Sequence, residues 1–328
     1  MLAALVLAVL APIPQEGAIE ILWCPTAGTV LERCLEFEVR GGIAEYEHLL
    51  AGLDLRGLAG TSIRGRLRVR DTLGPVEEGR PLVLEREVLE LRTTWNGLAE
   101  LDVAPDLAGR ALRYAWDAER DAFERDWARP HPRGIAPPAL REDLDLRALL
   151  PGRPVRVGEV WRVPVSRAAP LFAPAGGLHV DTRLADARGF DDLARAFDIE
   201  RGERIRDSEI ECLLARVEGR TAVIELGWTW RGAIDPFLPP ASDTWLARLA
   251  PDPTRLGLDG CAWGRLLWDL EAGHAREFKL EVEFDGLLAT PLTRLGIPIR
   301  ARGMWWVAIE SRTSGVRTRA GHPVPEPR

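Results

Sequence analysis

Side chains that could carry out catalysis are few and scattered in this sequence. His179 and Asp181 are two residues apart, a spacing that could orient an imidazole or ligate a metal, but surface strand positions explain them better. The segment Asp71-Thr72-Leu73-Gly74 differs by one residue from the Asp-Thr-Gly of aspartic proteases. No nucleophile elbow, zinc-protease helix or phosphate-binding loop occurs, so the sequence predicts no catalytic residue.

Tryptophan is the residue type that stands out, with 12 copies against 2 tyrosines. Each indole brings a large apolar surface and one N–H group that needs a partner. Trp228, Trp230, Trp268 and Trp306 lie in amphipathic runs, and we interpret them as candidate wall residues of a ligand cavity. Ordinary core packing is the alternative interpretation. The sequence predicts no cofactor and no metal site beside them.

The runs that carry these tryptophans have the period-two alternation of β-strands. Alternate residues are apolar from Ala222 to Trp230, and Phe278 to Phe284 alternate with charged residues. Residues 112–116 and 123–127 predict a hairpin, and no strand–helix–strand rhythm is seen. We therefore predict a mainly β fold: antiparallel curved sheets or half-barrels with one or two short covering helices.

Four arginines occupy alternate positions of one predicted strand. They are Arg64, Arg66, Arg68 and Arg70, opposite the apolar Leu67 and Val69. A stripe of this kind could bind an anionic ligand. Glutamates on neighbouring strands, such as Glu36 and Glu38, would pair with it equally well, and we favour that interpretation.

The chain divides into five predicted segments around residues 149–164, which we interpret as the joint between two β-rich halves. A short helix at residues 190–199 and a Pro- and Ala-rich loop at 236–253 lie within the second half. The segments are a signal peptide at 1–17, an N-terminal β-rich half at 18–136, a bridging helix at 137–150, a C-terminal β-rich half at 151–318, and a disordered tail at 319–328.

The N-terminus predicts export to the periplasm or the extracellular space. Residues 2–11 are apolar without interruption, and the run ends at Pro12. A run of this length is too short to span a bilayer. We expect no membrane span after removal of this segment. The net charge of −7 leaves no electrostatic footprint for nucleic acid.

Four cysteines agree with an oxidising compartment. Cys24 and Cys34 are close in sequence, and Cys212 and Cys261 more loosely so, which predicts one disulfide in each half. Free buried thiols remain the alternative. No Cys-x-x-Cys pair occurs, which argues against a zinc site.

The central stretch carries a resemblance to a known group. Its Leu-Pro turn is followed by Val157-Gly158-Glu159-Val160-Trp161, and Gly264-x-x-x-Trp268-Asp269 occurs later. These segments resemble signatures of uncharacterised exported bacterial β-rich proteins. The architecture that this resemblance implies is similar to lipoprotein carriers, whose curved sheet holds acyl chains. It implies no functional residue.

Three functions remain open from the sequence. The first is a non-enzymatic exported protein that binds an apolar small molecule or lipid in a sheet-lined cavity. The second is a structural or interaction subunit of the cell envelope with a filled core and an unidentified protein partner. The third is a hydrolase with an unrecognised site. A wall of tryptophans favours the first, and an exposed apolar patch favours the second.

Overall fold

The computed structural model describes residues 17–46, 61–95, 101–102, 108–132, 140, 142–168, 208–234, 255–289 and 299–316. Within them lie fourteen strands, one four-residue helix and one 3-10 turn at Arg147–Leu149. The elements are β1 (Thr29–Tyr46), β2 (Thr61–Leu73), β3 (Val76–Glu77), β4 (Arg80–Pro81), β5 (Val83–Trp95), β6 (Leu101–Asp102), β7 (Ala111–Asp117), β8 (Ala122–Trp127), β9 (Val160–Pro164), α1 (Val165–Ala168), β10 (Glu209–Glu218), β11 (Thr221–Ile234), β12 (Arg255–Asp269), β13 (His274–Ala289) and β14 (Ile299–Val316).

One antiparallel sheet contains nearly all of these strands. Their order is β8-β7-β5-β2-β1-β14-β13-β12-β11-β10-β9, with β6 also paired to β5 and a separate small β3–β4 ribbon. The two predicted halves meet where β1 pairs with β14 along almost their full lengths. The mainly β, antiparallel prediction is confirmed, and both halves belong to a single sheet.

The strands form because alternate residues suit opposite environments. Apolar residues that are partners in neighbouring strands form continuous buried rows on one side, which we call the core face. One such row crosses eight strands, and every side chain in it is at most 5% exposed. Its members are Leu91, Leu67, Leu35, Ile309, Phe278, Leu266, Ile224 and Leu214.

The opposite side, which we call the outer face, is mostly charged. The arginine stripe of β2 lies there, and each arginine pairs with a glutamate of a neighbouring strand. The interpretation as cross-strand ion pairs is therefore confirmed, and the pairs of Arg66, Arg68 and Arg70 contribute little because solvent screens them. The distances are 2.9 Å for Arg64–Glu38, 3.4 Å for Arg66–Glu36, 3.5 Å for Arg68–Glu90 and 2.8 Å for Arg70–Glu32.

Two irregular segments cover part of the core face. Residues 19–24 run beside residues 153–157, and the backbones of Ile19 and Val155 exchange hydrogen bonds of 2.7 and 2.9 Å. Ile21 and Val155 are almost completely buried. The joint at 149–164 then enters edge strand β9, where the indole N–H of Trp161 donates to the Leu149 carbonyl at 2.8 Å. Gly158, with φ 86°, lies two residues before the strand begins at Val160.

The bridging helix expected at 137–150 is not formed in its described part. Only the 3-10 turn Arg147–Leu149 is helical, and Leu146 before it has φ 58°. The reason is burial: Leu144, Asp145 and Leu146 are consecutive and all at most 3% exposed. A helix with one buried stripe cannot bury three consecutive side chains, so the chain adopts an irregular path.

A buried ion pair ties β2 to β5 on the core face. The Arg86 guanidinium donates to both oxygens of Asp71, at 2.7 and 2.8 Å, and both side chains are 1% exposed. Arg33 of β1 lies 3.2 Å from the same carboxylate, an ion-pair contact whose angle does not make a hydrogen bond. Asp71 therefore balances two buried cations.

The same cluster reaches the covering segments. The carboxylate of Asp145 accepts hydrogen bonds from Arg33 and from the indole of Trp23, both at 2.7 Å. Burial opposes ionisation of Asp145, but Arg33 and Trp23 outweigh it and hold its pKa below the ordinary value. Arg86 also donates to the Glu142 carbonyl at 2.9 Å. Charge pairing therefore fixes where the cover meets the sheet.

The two expected disulfides are absent, because all four cysteines are free. Cys212 lies on the core face with its Cα partner Leu226, whereas Cys261 belongs to an outer-face row of β12. Opposite faces of one sheet cannot be bridged by a disulfide. Cys34 faces outward beside Arg66, and Cys24 lies against Gly273 of the β12–β13 turn. Closeness in sequence was therefore a poor guide to pairing.

Several expectations concern residues outside the described ones. They are the signal peptide up to residue 16, the helix at 190–199, the loop at 236–253, the tail at 319–328, and the His179–Asp181 pair. Among the residues that the structure does describe, no helix is long and apolar enough to cross a membrane.

We predict that Asp71→Asn lowers the free energy of unfolding by about 3–5 kcal/mol, because it removes the charge that pairs with buried Arg86 and one of the two carboxylates that pair with buried Arg33. Urea denaturation at neutral pH measures the change. The matched control is Arg68→Gln, which removes an exposed ion pair on the same strand and should cost less than about 1 kcal/mol. Equal losses in the two variants would contradict the assigned role of the buried cluster.

Candidate functional site

Two of the four candidate tryptophans lie together on the core face. Trp228 and Trp230 are alternate residues of β11, and their rings stack with centroids 4.1 Å apart and planes 23° apart. Trp228 is 5% exposed, and its indole N–H donates to the Ser208 hydroxyl at 2.9 Å. Trp230 is partly buried against the core. The stack presents one continuous aromatic surface.

Glycines on neighbouring strands allow aromatic rings to lie flat against the sheet. Trp230 and Gly260 are Cα partners, and a Cβ atom at Gly260 would fall 2.0 Å from the indole. Phe37 covers Gly65 in the same way, with a corresponding distance of 2.2 Å. Only glycine permits this close approach of a ring to the backbone.

Smaller buried side chains fill the space between the two aromatic groups. Val307, Leu280 and Leu226 belong to the row of Phe37, and Val282 and Ala262 belong to the row of Trp228. Each is at most 5% exposed, whereas Phe37 and Trp230 keep part of their surface accessible. We call this set the apolar wall; it consists of Phe37, Val307, Leu280, Leu226, Val282, Ala262, Trp228 and Trp230.

Trp268 lies on the same face but in a different place. Its Cα partner on β11 is Ala222, six residues before Trp228 and therefore about 20 Å away along the strand. Trp268 is 0% exposed, and its indole N–H has no hydrogen-bond partner among the described residues. It belongs to the filled core and not to the wall.

Trp306 lies on the outer face. Its Cα partners are Glu38 of β1 and Glu281 of β13, and its indole N–H donates to the Glu38 carboxylate at 3.0 Å. The structure therefore brings together Trp228 and Trp230 and separates them from Trp268 and Trp306. Phe37 and the glycines Gly65 and Gly260 were missed, since their pairing depends on a register that no single strand reveals.

Glu38 is a buried carboxylate on a mostly exposed face, at 4% exposure. Burial opposes its ionisation, but hydrogen bonds from Arg40, Trp306 and Arg64 outweigh that effect. They lower its pKa from 4.5 to about 2. Glu38 therefore stays charged at ordinary pH and holds the indole of Trp306 in place.

One cysteine thiol lies beside the wall. Cys212 is the Cα partner of Leu226, and burial raises the pKa of its thiol to about 12. A thiol that stays protonated is a poor nucleophile. Across the described parts of the chain, no group of three His, Cys, Asp or Glu residues is arranged to hold a metal ion.

No protein-family model matches this chain, and no curated protein matches it either. The structure defines a mainly β protein, which is built on one antiparallel sheet with an apolar wall on its core face.

We predict that Gly260→Val disrupts the wall, because its branched side chain must displace the Trp230 ring. The expected cost in unfolding free energy is about 1–3 kcal/mol, with loss of the near-ultraviolet circular dichroism of the stacked indoles. Gly227→Val is the matched control, since a Cβ atom there meets nothing within 4 Å. It should be neutral or slightly stabilising in a strand. An unchanged spectrum in Gly260→Val would contradict the assigned stacking.

A second prediction concerns Glu38 and pH. Its folded-state pKa of about 2 is below the ordinary 4.5, so its stabilisation is fully present above pH 4.5 and is lost as pH falls to about 2. The shift corresponds to roughly 3 kcal/mol as an upper bound, because solvent screens the exposed arginines. Urea unfolding of wild type and Glu38→Gln across this range should show the difference between them shrinking with acidity. A constant difference would refute the role.

Proposed function

We propose that this protein is a non-enzymatic, exported binding protein that holds an apolar ligand, such as a lipid acyl chain, against the apolar wall. The observation that carries the proposal is the flat placement of Trp230 and Phe37 over cross-strand glycines. Core side chains normally interdigitate at high packing density. Rings that lie flat against a sheet instead make a smooth apolar surface, which suits an elongated or planar ligand.

The dimensions of the wall support this ligand class. It extends from Phe37 on β1 to Trp230 on β11, which are four interstrand spacings apart, or about 19 Å. The buried positions between them are aliphatic, with no charged side chain in either row among the described residues. Apolar ligands gain about 25 cal/mol for each Å² removed from water, and the surface that a hydrocarbon chain would cover here is the accessible part of Phe37 and Trp230.

The proposal includes no enzymatic step, and the residues of the wall and beside it support this choice. The indole N–H of Trp228 donates to the Ser208 hydroxyl, which satisfies this polar group of the wall. The Cys212 thiol beside the wall is held in its protonated form. Export rests on the uninterrupted apolar run at residues 2–11.

The alternative is an envelope interaction subunit whose wall is filled by the chain itself. The two functions differ in what the purified protein carries. Native mass spectrometry of the full-length protein, extracted without detergent from its own host, separates them. A bound lipid mass supports the binding protein, whereas a clean protein mass with a partner chain supports the subunit.

We predict that Trp230→Ser reduces the bound lipid at least about fivefold, because it removes the accessible half of the indole stack. Lipid per protein is quantified after organic extraction, and rebinding is measured with oleic acid. The matched control is Trp116→Ala, a tryptophan in the β7–β8 hairpin that packs on Phe123, far along the sheet. It should leave lipid content unchanged. Wild-type protein without lipid that also fails to bind oleic acid would refute the proposal.

A further inference from the structure

The outer face has one patch that departs from its ion-paired pattern. Trp263 of β12 is 43% exposed, one of the few large apolar side chains in the described structure that is so accessible. Its Cα partner on β11 is Gly227, which leaves the space on that side open. A tryptophan exposed on an otherwise charged sheet face is typical of a recognition surface.

Trp263 belongs to a row that alternates aromatic and acidic residues. Its Cα partner on β13 is Glu281, and the partner of Glu281 on β14 is Trp306. These three residues, which we call the acidic aromatic row, lie on the outer face because Ala262, Val282 and Val307 beside them are buried in the core. Glu38 fixes the indole of Trp306 at the far end of the row.

The carboxylates of this patch form no ion pair with the other side chains that the structure describes. Among the described residues, no arginine or lysine forms an ion pair with Glu281 or with Glu283, two residues further along the same face of β13. Nearby cations are occupied: Lys279 contacts Glu277 at 2.7 Å, and Arg64 contacts Glu38 at 2.9 Å. Two negative charges without an ion-pair partner among the described side chains therefore lie about 7 Å apart along one strand.

The spacing of the row suits a cation. Trp263 and Trp306 are two strands apart, or about 10 Å between their backbones, and Glu281 lies on the strand between them. Cys261 and Met304 flank Glu283 in the next row in the same way. Each carboxylate is thus bordered on both sides by apolar or polarisable side chains.

We propose that the acidic aromatic row docks a basic segment of a partner protein. The partner segment is extended, and alternate arginines place their guanidinium groups on Glu281 and Glu283. Alternate side chains of an extended peptide point the same way about 7 Å apart, which matches the two carboxylates. An arginine side chain can stack on an indole ring and pair with a carboxylate at the same time, which a lysine side chain does less well.

This surface is on the opposite side of the sheet from the apolar wall, so its role does not depend on the lipid proposal. A protein could load a ligand on the core face while a partner holds its outer face. The net charge of −7 favours association with a basic partner in general, so the experiment must separate the row from bulk charge.

The test uses a fluorescein-labelled peptide of alternating glycine and arginine and the full-length protein, with binding followed by fluorescence anisotropy at low and physiological salt. We expect the citrulline version of the peptide, which keeps the shape without the charge, to bind at least about tenfold more weakly. Trp263→Ala should weaken binding about two- to fivefold, the value of an exposed cation–π contact. The double variant Glu281→Gln with Glu283→Gln should weaken it about tenfold.

The control for charge is Glu124→Gln, which removes an exposed glutamate of edge strand β8, where it pairs with Arg120. It should stay within about twofold of wild type. If Glu124→Gln weakens binding as much as Glu281→Gln alone, the attraction is diffuse and the proposal fails. The proposal also fails if Trp263→Ala binds the peptide as wild type does. All substituted residues are exposed, and thermal melting confirms that each variant is folded.

Discussion

The antiparallel ladder between β1 and β14 is the interaction on which the rest of the structure depends. It runs from Thr29 with Val316 to Tyr46 with Ile299, and it joins parts of the chain as distant as Glu38 and Trp306, which are 268 residues apart. The entropy cost of closing so long a loop rises only slowly with its length. Without this ladder the chain would hold two smaller sheets, and no row of side chains would cross from one half to the other.

The register of that ladder decides what each face presents. A shift of β14 by one residue against β1 would turn β14 over, so that Val307 would be exposed and Trp306 buried while Leu35 of β1 stayed on the core face. The observed register collects the apolar wall on one side and the acidic aromatic row on the other. The two proposed sites therefore depend on the registers of neighbouring ladders in one sheet, although the ligands proposed for them have opposite character.

Buried charge has a separate role, which is to position the irregular cover. Hydrocarbon contacts are not directional, so Leu144 and Ile21 alone would not set where their segments lie. The pairs of Asp71 with Arg86 and of Asp145 with Arg33 are directional and costly to break. They hold the cover at one end of the core face, where Trp268 is fully buried, and the wall lies about 20 Å further along β11.

The sequence by itself indicated the long strands, the hairpin with its turn at residues 118–121, and the outward direction of the β2 arginines. These follow from alternation, which is a local property of an extended chain. Only the tertiary structure decided that Trp230 lies over Gly260, that Trp306 faces away from Trp228, that the cysteines stay free, and that residues 142–146 are not helical. Each of those depends on which distant residue is the neighbour, and pairing between remote strands leaves no signal within either strand alone.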